Sequence, residues 1–406
     1  MSAARLLVVA GLLALVAACG GGSSDAPAPA PTPTPTPTPT PVTPVVTASN
    51  AMQIVLTRGP DGRSFNSPFV SVTVCVPGSA VCQTIDNILV DTGSYGLRLA
   101  ASAVGPALAL PAVLNASSVP VAECAHFATG FAWGSVRRAD LKMSGETASN
   151  IPIQVIGEAG SPYGTVPAAC SNTGANFGSS IGINGILGVG FLAQDCPACA
   201  STAAPAVYFA CTAAGCNSTV LARASQVTNP VTVFPVNNNG VLVSLPAVPL
   251  GGSPSVSGSL VFGIGTQTNN QLGSETVYTA NSRGNFTTRY KGNVFTESFI
   301  DSGSNGNFFD DPAIPQCSGG SGFYCPETPL SRAAVTVSST GVSGTVSFVV
   351  ESVRNLRGDA VAAHIGGTME DASAFDWGLP FFFGRNVFVA FSGATTPKGT
   401  GPFWAY

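Results

Sequence analysis

Apolar residues in this 406-residue chain come in short runs, and hardly any run has a helical period. M-Q-I-V-L (52–56), F-V-S-V-T-V-C-V (69–76), I-D-N-I-L-V (85–90) and P-I-Q-V-I (152–156) are rich in β-branched residues. A second series follows: G-V-L-V-S-L (240–245), G-S-L-V-F-G-I-G (258–265), A-A-V-T-V (333–337) and T-V-S-F-V-V (345–350). Each run is bounded by Gly, Pro, Asn or Ser, which predicts short strands joined by tight turns and an all-β fold. The best helix candidate is 202–224, weakened by its glycine and its cysteines.

Composition sharpens this picture. Charged residues make up 9% of the chain, against roughly a quarter in average soluble domains. With 47 glycines and 32 prolines the chain is punctuated for turns. Its length suffices for two lobes with real cores or one large β domain. The net charge of -4 and the lack of any Lys/Arg cluster exclude a nucleic-acid partner.

The N-terminus reads as a targeting segment. Arg5 precedes an apolar run over 6–16, and L-V-A-A-C (15–19) resembles a bacterial lipobox, so 1–18 is expected to be a lipoprotein signal peptide with Cys19 the lipidated residue. Residues 19–47 are Gly/Ser-rich and then alternate Pro with Ala or Thr, which makes a tether with no core-forming side chains. No later run is long enough to cross a bilayer, so the mature chain is expected to be anchored and not membrane-spanning. Gly, and not Asp, at position 20 favours the outer membrane under the usual sorting rule, with the periplasmic or surface side left open. Beyond Cys19, ten of the 11 cysteines remain, an even number suited to disulfides in an oxidising compartment. Cys75 and Cys82 flank P-G-S-A and Cys317 and Cys325 flank a Gly-rich loop, so each couple is expected to pair. Cys196, Cys199, Cys211 and Cys216 allow three connectivities, and Cys124 with Cys170 is then left as a pair. Zinc is the competing reading of C-P-A-C at 196–199, disfavoured in an exported chain with only two histidines, His126 and His364.

Inside this polar-poor frame an aspartate appears twice behind an apolar strand. N-I-L-V-D-T-G-S-Y-G-L-R-L (87–99) and S-F-I-D-S-G-S-N-G-N-F-F (298–309) each place an Asp-[Thr/Ser]-Gly-Ser turn where burial is expected. Burying a lone carboxylate there is costly unless its charge is shared, so the two aspartates are expected to face each other. Each turn is followed at similar spacing by a hydrophobic–hydrophobic–Gly element, N-G-I-L-G-V-G-F (184–191) and P-F-F-F-G-R-N-V-F-V-A-F (380–391). A single D-[T/S]-G is expected by chance at roughly 0.3 copies in such a composition, but about 0.01 with its apolar and hydroxyl flanks. Two such motifs with matching sequels indicate a duplicated lobe.

These paired elements resemble the bilobal pepsin-like aspartic proteases. I-N-G-I-L-G-V-G-F resembles the pepsin-type I-L-G segment, F-F-G-R-N resembles the I-I-G-R-N of retroviral proteases, and F-G-I-G-T-Q-T-N-N (262–270) suggests an uncharacterised family of bacterial exported proteins. The resemblance implies a two-lobed, mainly antiparallel β fold with a central cleft, an N-terminal lobe over 48–228 and a C-terminal lobe over 229–406. It implies Asp91 and Asp301 as a catalytic pair that shares a proton and activates water to hydrolyse a peptide bond, with no metal or organic cofactor. Thr92 and Ser302 would cross-bond the turns, Gly93 and Gly303 would allow their tightness, and Ser94 and Ser304 would hold the outer carboxylate oxygens. Residues 186–188 and 382–384 would back the turns with apolar packing. In place of the flap tyrosine of that family the chain offers Phe131 or Trp133 as substrate-facing aromatics. The expected partner is a peptide or protein in the cleft of a monomer, the membrane being touched only by the lipid. The rival expectation is a catalytically silent shell of the same fold that binds an envelope partner.

Other constellations carry less. Gly178-Ser179-Ser180-Ile181-Gly182 matches G-x-S-x-G but lacks a strand–turn–helix setting and an obvious base. Asp310-Asp311-Pro312 reads as a turn before proline, and Arg137, Arg138 and Arg385 as surface or internal partners for acids.

Overall fold

The computed structural model describes residues 48–128, 130–177, 182–203 and 206–406, all within one compact unit. Cys19, the lipobox and the tether lie outside the described residues, as does most of the G-x-S-x-G stretch. No helix among the described residues is long and apolar enough to cross a membrane.

The all-β expectation is what the chain adopts: the only α-helix among the described residues is the single turn Ala168–Ser171, alongside a few short 3-10 turns. One sheet of sixteen strands and one of seven contain nearly all the strands. The alternation read from the sequence decides which face is buried. In the strand Pro68–Cys75, Val70, Val72 and Val74 are buried while Ser71 is exposed and Thr73 half-buried. The strand Cys82–Asp91 pairs with it antiparallel and turns Ile85, Ile88 and Val90 into the same core.

The larger sheet draws strands from both halves. Ala51–Leu56 pairs along its whole length with Val256–Phe262, which continues through Gly240–Leu245 to Arg385–Ala390 and Phe403–Ala405. The smaller sheet belongs to the second half and is built on Phe286–Tyr290, Asn293–Ile300, Leu330–Val337 and Ser343–Val350. Its core is aromatic: Phe375 stacks on Phe309 at 4.6 Å and on Trp377 at 4.3 Å, and Phe348 meets both Phe375 and Trp377 edge-on.

Residues 202–224 do not form the helix considered for them. They hold the hairpin strands Tyr208–Thr212 and Gly215–Ser218, and Tyr208–Thr212 adds to the edge of Val121–Phe127. Gly215 at φ 125° sits in a conformation a helix cannot use, and Cys211–Cys216 clips the hairpin. The other disulfides are Cys75–Cys82, Cys124–Cys170, Cys196–Cys199 and Cys317–Cys325, which settles the four-cysteine cluster and makes C-P-A-C a disulfide loop.

Several charges are paired inside the fold. Arg98, buried, bonds Glu123 at 2.6 Å and Asp195 at 3.2 Å, and Tyr208 Oη donates to Asp195 at 2.5 Å. Asp311 accepts from Tyr290 Oη and Lys291 Nζ, each at 2.7 Å, which makes Asp310-Asp311-Pro312 structural. Arg137 pairs with Glu158 at 3.0 Å. Arg138 and Arg385 donate instead to backbone carbonyls, Arg385 to those of Phe381 and Ser347, so neither has the expected acidic partner among the described residues.

Candidate active site

The first aspartate turn is built by the end of one strand and the start of the next. Cys82–Asp91 delivers Asp91 at its last position, and Tyr95–Ala100 departs four residues later. Between them Gly93 N donates to Asp91 Oδ1 at 2.8 Å, and Ser94 Oγ donates to Asp91 Oδ2. The second turn repeats this arrangement. Asp301 directly follows Asn293–Ile300, Gly303 N donates to Asp301 Oδ1 at 2.7 Å, and Ser304 Oγ donates to Asp301 Oδ2 at 2.8 Å.

The two turns are tied to each other by their hydroxyl residues. Thr92 Oγ1 donates to Ile300 O at 2.9 Å and accepts from Ser302 N at 3.0 Å. Ser302 Oγ donates to Val90 O at 2.7 Å and accepts from Thr92 N at 3.1 Å. Four buried hydrogen bonds with an approximate twofold pattern thus satisfy backbone groups that neither turn could satisfy alone. They bring the carboxyls together. A Cβ added to Gly93 would stand 2.8 Å from Asp301 Cγ, and one added to Gly303 would stand 2.9 Å from Asp91 Cγ. Each glycine is therefore required by the other turn's carboxyl.

Asp91 is 6% exposed, and each carboxyl lies against the glycine of the opposite turn, which sets the two side by side. The Asp301 carboxyl is held well above the usual carboxylate range, first by burial, then by the Asp91 charge, then by a third acid, Asp376. Two carboxyls in contact cannot both ionise cheaply, so the pair shares one proton, favoured on the Asp301 side by that raised affinity. Tyr95, next to the first turn, is pushed up to about 12 by burial and by the Asp91 charge, so it remains a neutral phenol.

The glycine elements behind the turns differ from expectation in one lobe. In the first, Gly185–Val189 runs parallel to the aspartate strand with Val90 opposite Leu187 and Asp91 opposite Gly188, so Ile186, Leu187 and Gly188 lie where the sequence put them. In the second, the parallel partner is Asp376–Trp377, with Ile300 opposite Trp377 and Asp301 N donating to Trp377 O at 2.9 Å. Phe382, Phe383 and Gly384 sit further along the chain, where both phenylalanines fill the core and Gly384 N bonds Leu245 O at 3.0 Å. The reason is steric. The partner glycine must let the chain leaving the turn pass over it, and a Cβ on Gly378 would fall onto the backbone oxygen of Gly306, whereas the nearest atom to a Cβ on Gly384 would be 3.5 Å away. Asp-Trp-Gly was missed because its first residue is charged and a search for two apolar residues skips it.

The aromatic candidates are also displaced. Phe131 and Trp133 lie on the strand Gly130–Met143 but are 2% and 3% exposed, packed in a cluster with Cys124, Cys170 and Phe209. Trp133 Nε1 donates to Tyr163 O at 2.7 Å, so its one polar atom is already used. Alternation on this strand turns both rings to the same buried face. The ring nearest the hairpin tip is Phe127, half-buried, with the Arg98 guanidinium 5.8 Å from its centroid.

Residues 46–406 match the family described as "Protein of unknown function (DUF3443)", and the chain belongs to that family. No curated protein matches the chain in sequence. Among solved structures it is similar to an aspartic proteinase from Irpex lacteus, at 16% identity and a TM-score of 0.47, over 88% of this chain and 96% of that one.

Proposed function

We propose that this protein is an aspartic-type endopeptidase tethered to the bacterial cell envelope through Cys19. One observation carries the reading: two aspartates, Asp91 buried and Asp301 half-buried, meet on turns that are hydrogen-bonded to each other, each with a serine hydroxyl on its outer carboxyl oxygen. In this scheme Asp91 acts as the base: it takes a proton from a water held between the carboxyls as that water attacks the peptide carbonyl carbon. Asp301 gives its proton to the carbonyl oxygen. Collapse of the tetrahedral intermediate breaks the C–N bond: the proton gained by Asp91 passes to the leaving amine, and one hydroxyl proton of the intermediate returns to Asp301, leaving the carboxylic acid product. Neither a metal nor an organic cofactor enters this scheme. Substrate would lie across both turns, and the tether would present the folded part to peptides of the envelope.

The test is cleavage of unfolded casein by the full chain between pH 3 and 9, beside Asp91→Asn and Asp301→Asn. Each variant is expected to fold and to lose at least about a thousandfold in kcat, since either loss removes half of one proton-transfer machine. A folded parent without cleavage at any pH would replace this reading with that of a binding shell for an envelope partner.

A further inference from the structure

The duplicated lobes compare the two aspartates like for like. Leu89 opposes Ile186 and Val90 opposes Leu187 in the first lobe; Phe299 opposes Asp376 and Ile300 opposes Trp377 in the second. The place that Ile186 fills with an apolar side chain beside Asp91 is thus filled with a carboxyl beside Asp301. Asp376 is 4% exposed, and its Oδ1 is buried with no hydrogen-bond partner among the described residues. Its polar contact is with Ser304, the same hydroxyl that donates to Asp301 Oδ2 at 2.8 Å. Nothing in packing demands this, because the other lobe shows that isoleucine suffices.

We propose, building on the hydrolase reading above, that Asp376 is a third proton-binding carboxyl of the site: a positioning residue that keeps the proton on Asp301 as pH rises and so sets the alkaline end of the working range. The charged groups that act on it are both acids, Asp91 from the first turn, and Asp301, with which it repels. Its register neighbours in the sheet are Phe299 and Phe308, and Ser304 is the polar group against it. With no cation facing it, burial pushes Asp376 up to about 8.

The direction of its effect follows. On the acid side Asp376 is neutral while the first charge forms, so removing it leaves the acid limb in place. On the alkaline side a charge on Asp376 raises the proton affinity of Asp301, so the competent form with Asp301 protonated survives to higher pH. Replacing Asp376 by a neutral side chain lets Asp301 lose its proton sooner.

The experiment measures kcat/KM for casein cleavage from pH 3 to 9 with the full chain, Asp376→Asn and Asp376→Ile, the last copying the first lobe. The alkaline limb is expected to move toward acid by about one pH unit in both variants while the acid limb stays. Unmoved limbs, or an equal loss of rate at every pH, would overturn the proposal and leave Asp376 as packing. Carbon-13 NMR titration of labelled aspartate carboxyls in the same proteins decides the point without turnover. The parent is expected to show a carboxyl titrating above neutral pH that disappears in Asp376→Asn, with a second one moving down. A parent in which no carboxyl titrates above pH 6 would overturn it. If cleavage is absent while the titration is as expected, the hydrolase reading fails and the three-carboxyl site stands.

Discussion

At the scale of single residues, Thr92 and Ser302 do more than their size suggests. Each hydroxyl both donates to a carbonyl and accepts from an amide of the opposite turn, at distances of 2.7 to 3.1 Å. Thr92→Val keeps the shape but strands Ser302 N–H and Ile300 C=O in a buried setting. Leaving buried polar groups unpaired costs about 1–3 kcal/mol each. We expect Thr92→Val to lower the unfolding free energy by about 2–4 kcal/mol in urea melts, with cleavage falling in step as the carboxyls lose their register. A variant as stable as the parent would mean that the turns are held together by the surrounding sheet alone. The serines on the outer oxygens were legible in the sequence because a D-[T/S]-G-S turn forms its carboxyl bonds within four residues, and Thr92 and Ser302 because the motif occurs twice, each copy resembling the paired turns of the pepsin-like fold. Asp376 was not, since nothing local marks a lone acid at 376 as lying next to residue 304.

At the scale of elements, the two parallel strands behind the turns decide which glycines cannot change. Gly188 and Gly378 lie where the chain leaving each turn passes, and a Cβ on either would overlap the backbone of Tyr95 or Gly306. Gly384 has φ 74° but open space around it, with Ala247 the closest neighbour at 3.5 Å. Gly378→Ala is therefore expected to prevent recovery of folded protein, while Gly384→Ala costs only the left-handed backbone, about 1 kcal/mol. Thermal melts of the two variants separate the readings, and equal damage from both would restore Phe382-Phe383-Gly384 as the backing element. The hairpin carrying Phe131 and Trp133 makes the same point from the other side. Its buried face was fixed by Tyr163, Phe209 and the Cys124–Cys170 disulfide, which come from distant segments.

At the scale of the whole molecule, buried acids couple stability to pH. Asp301 and Asp195 are held well above their usual range and Asp376 at about 8, burial being the first cause in each. A carboxyl whose folded value is raised binds its proton more tightly in the native state than in the unfolded chain. Its stabilisation is complete below the unfolded value near 4 and is lost as pH rises through the folded value. The melting temperature is accordingly expected to be highest in acid and to fall between about pH 4 and pH 8, by on the order of 5 °C. Asp376→Asn should flatten that fall, and a melting temperature that rises over this window would contradict the protonation pattern of the site. Scanning calorimetry across the range reads it directly.

The sequence by itself determined what depends on neighbours along the chain: the strand class from apolar alternation, the paired aspartate turns from their four-residue chemistry, and the short-loop disulfides at 75–82 and 317–325 from the turns they span. Tertiary structure decided what depends on residues far apart in sequence meeting in space. It chose Asp376–Trp377 over the phenylalanines at 382–383, buried Phe131 and Trp133, put the first strand against Val256–Phe262 across the two halves, and set a third carboxyl beside Asp301. The physical reason is the same in each case. Parallel and long-range pairings are fixed by which backbones can approach without a Cβ between them and which faces remain to be covered, and neither quantity is written in any short stretch of the chain.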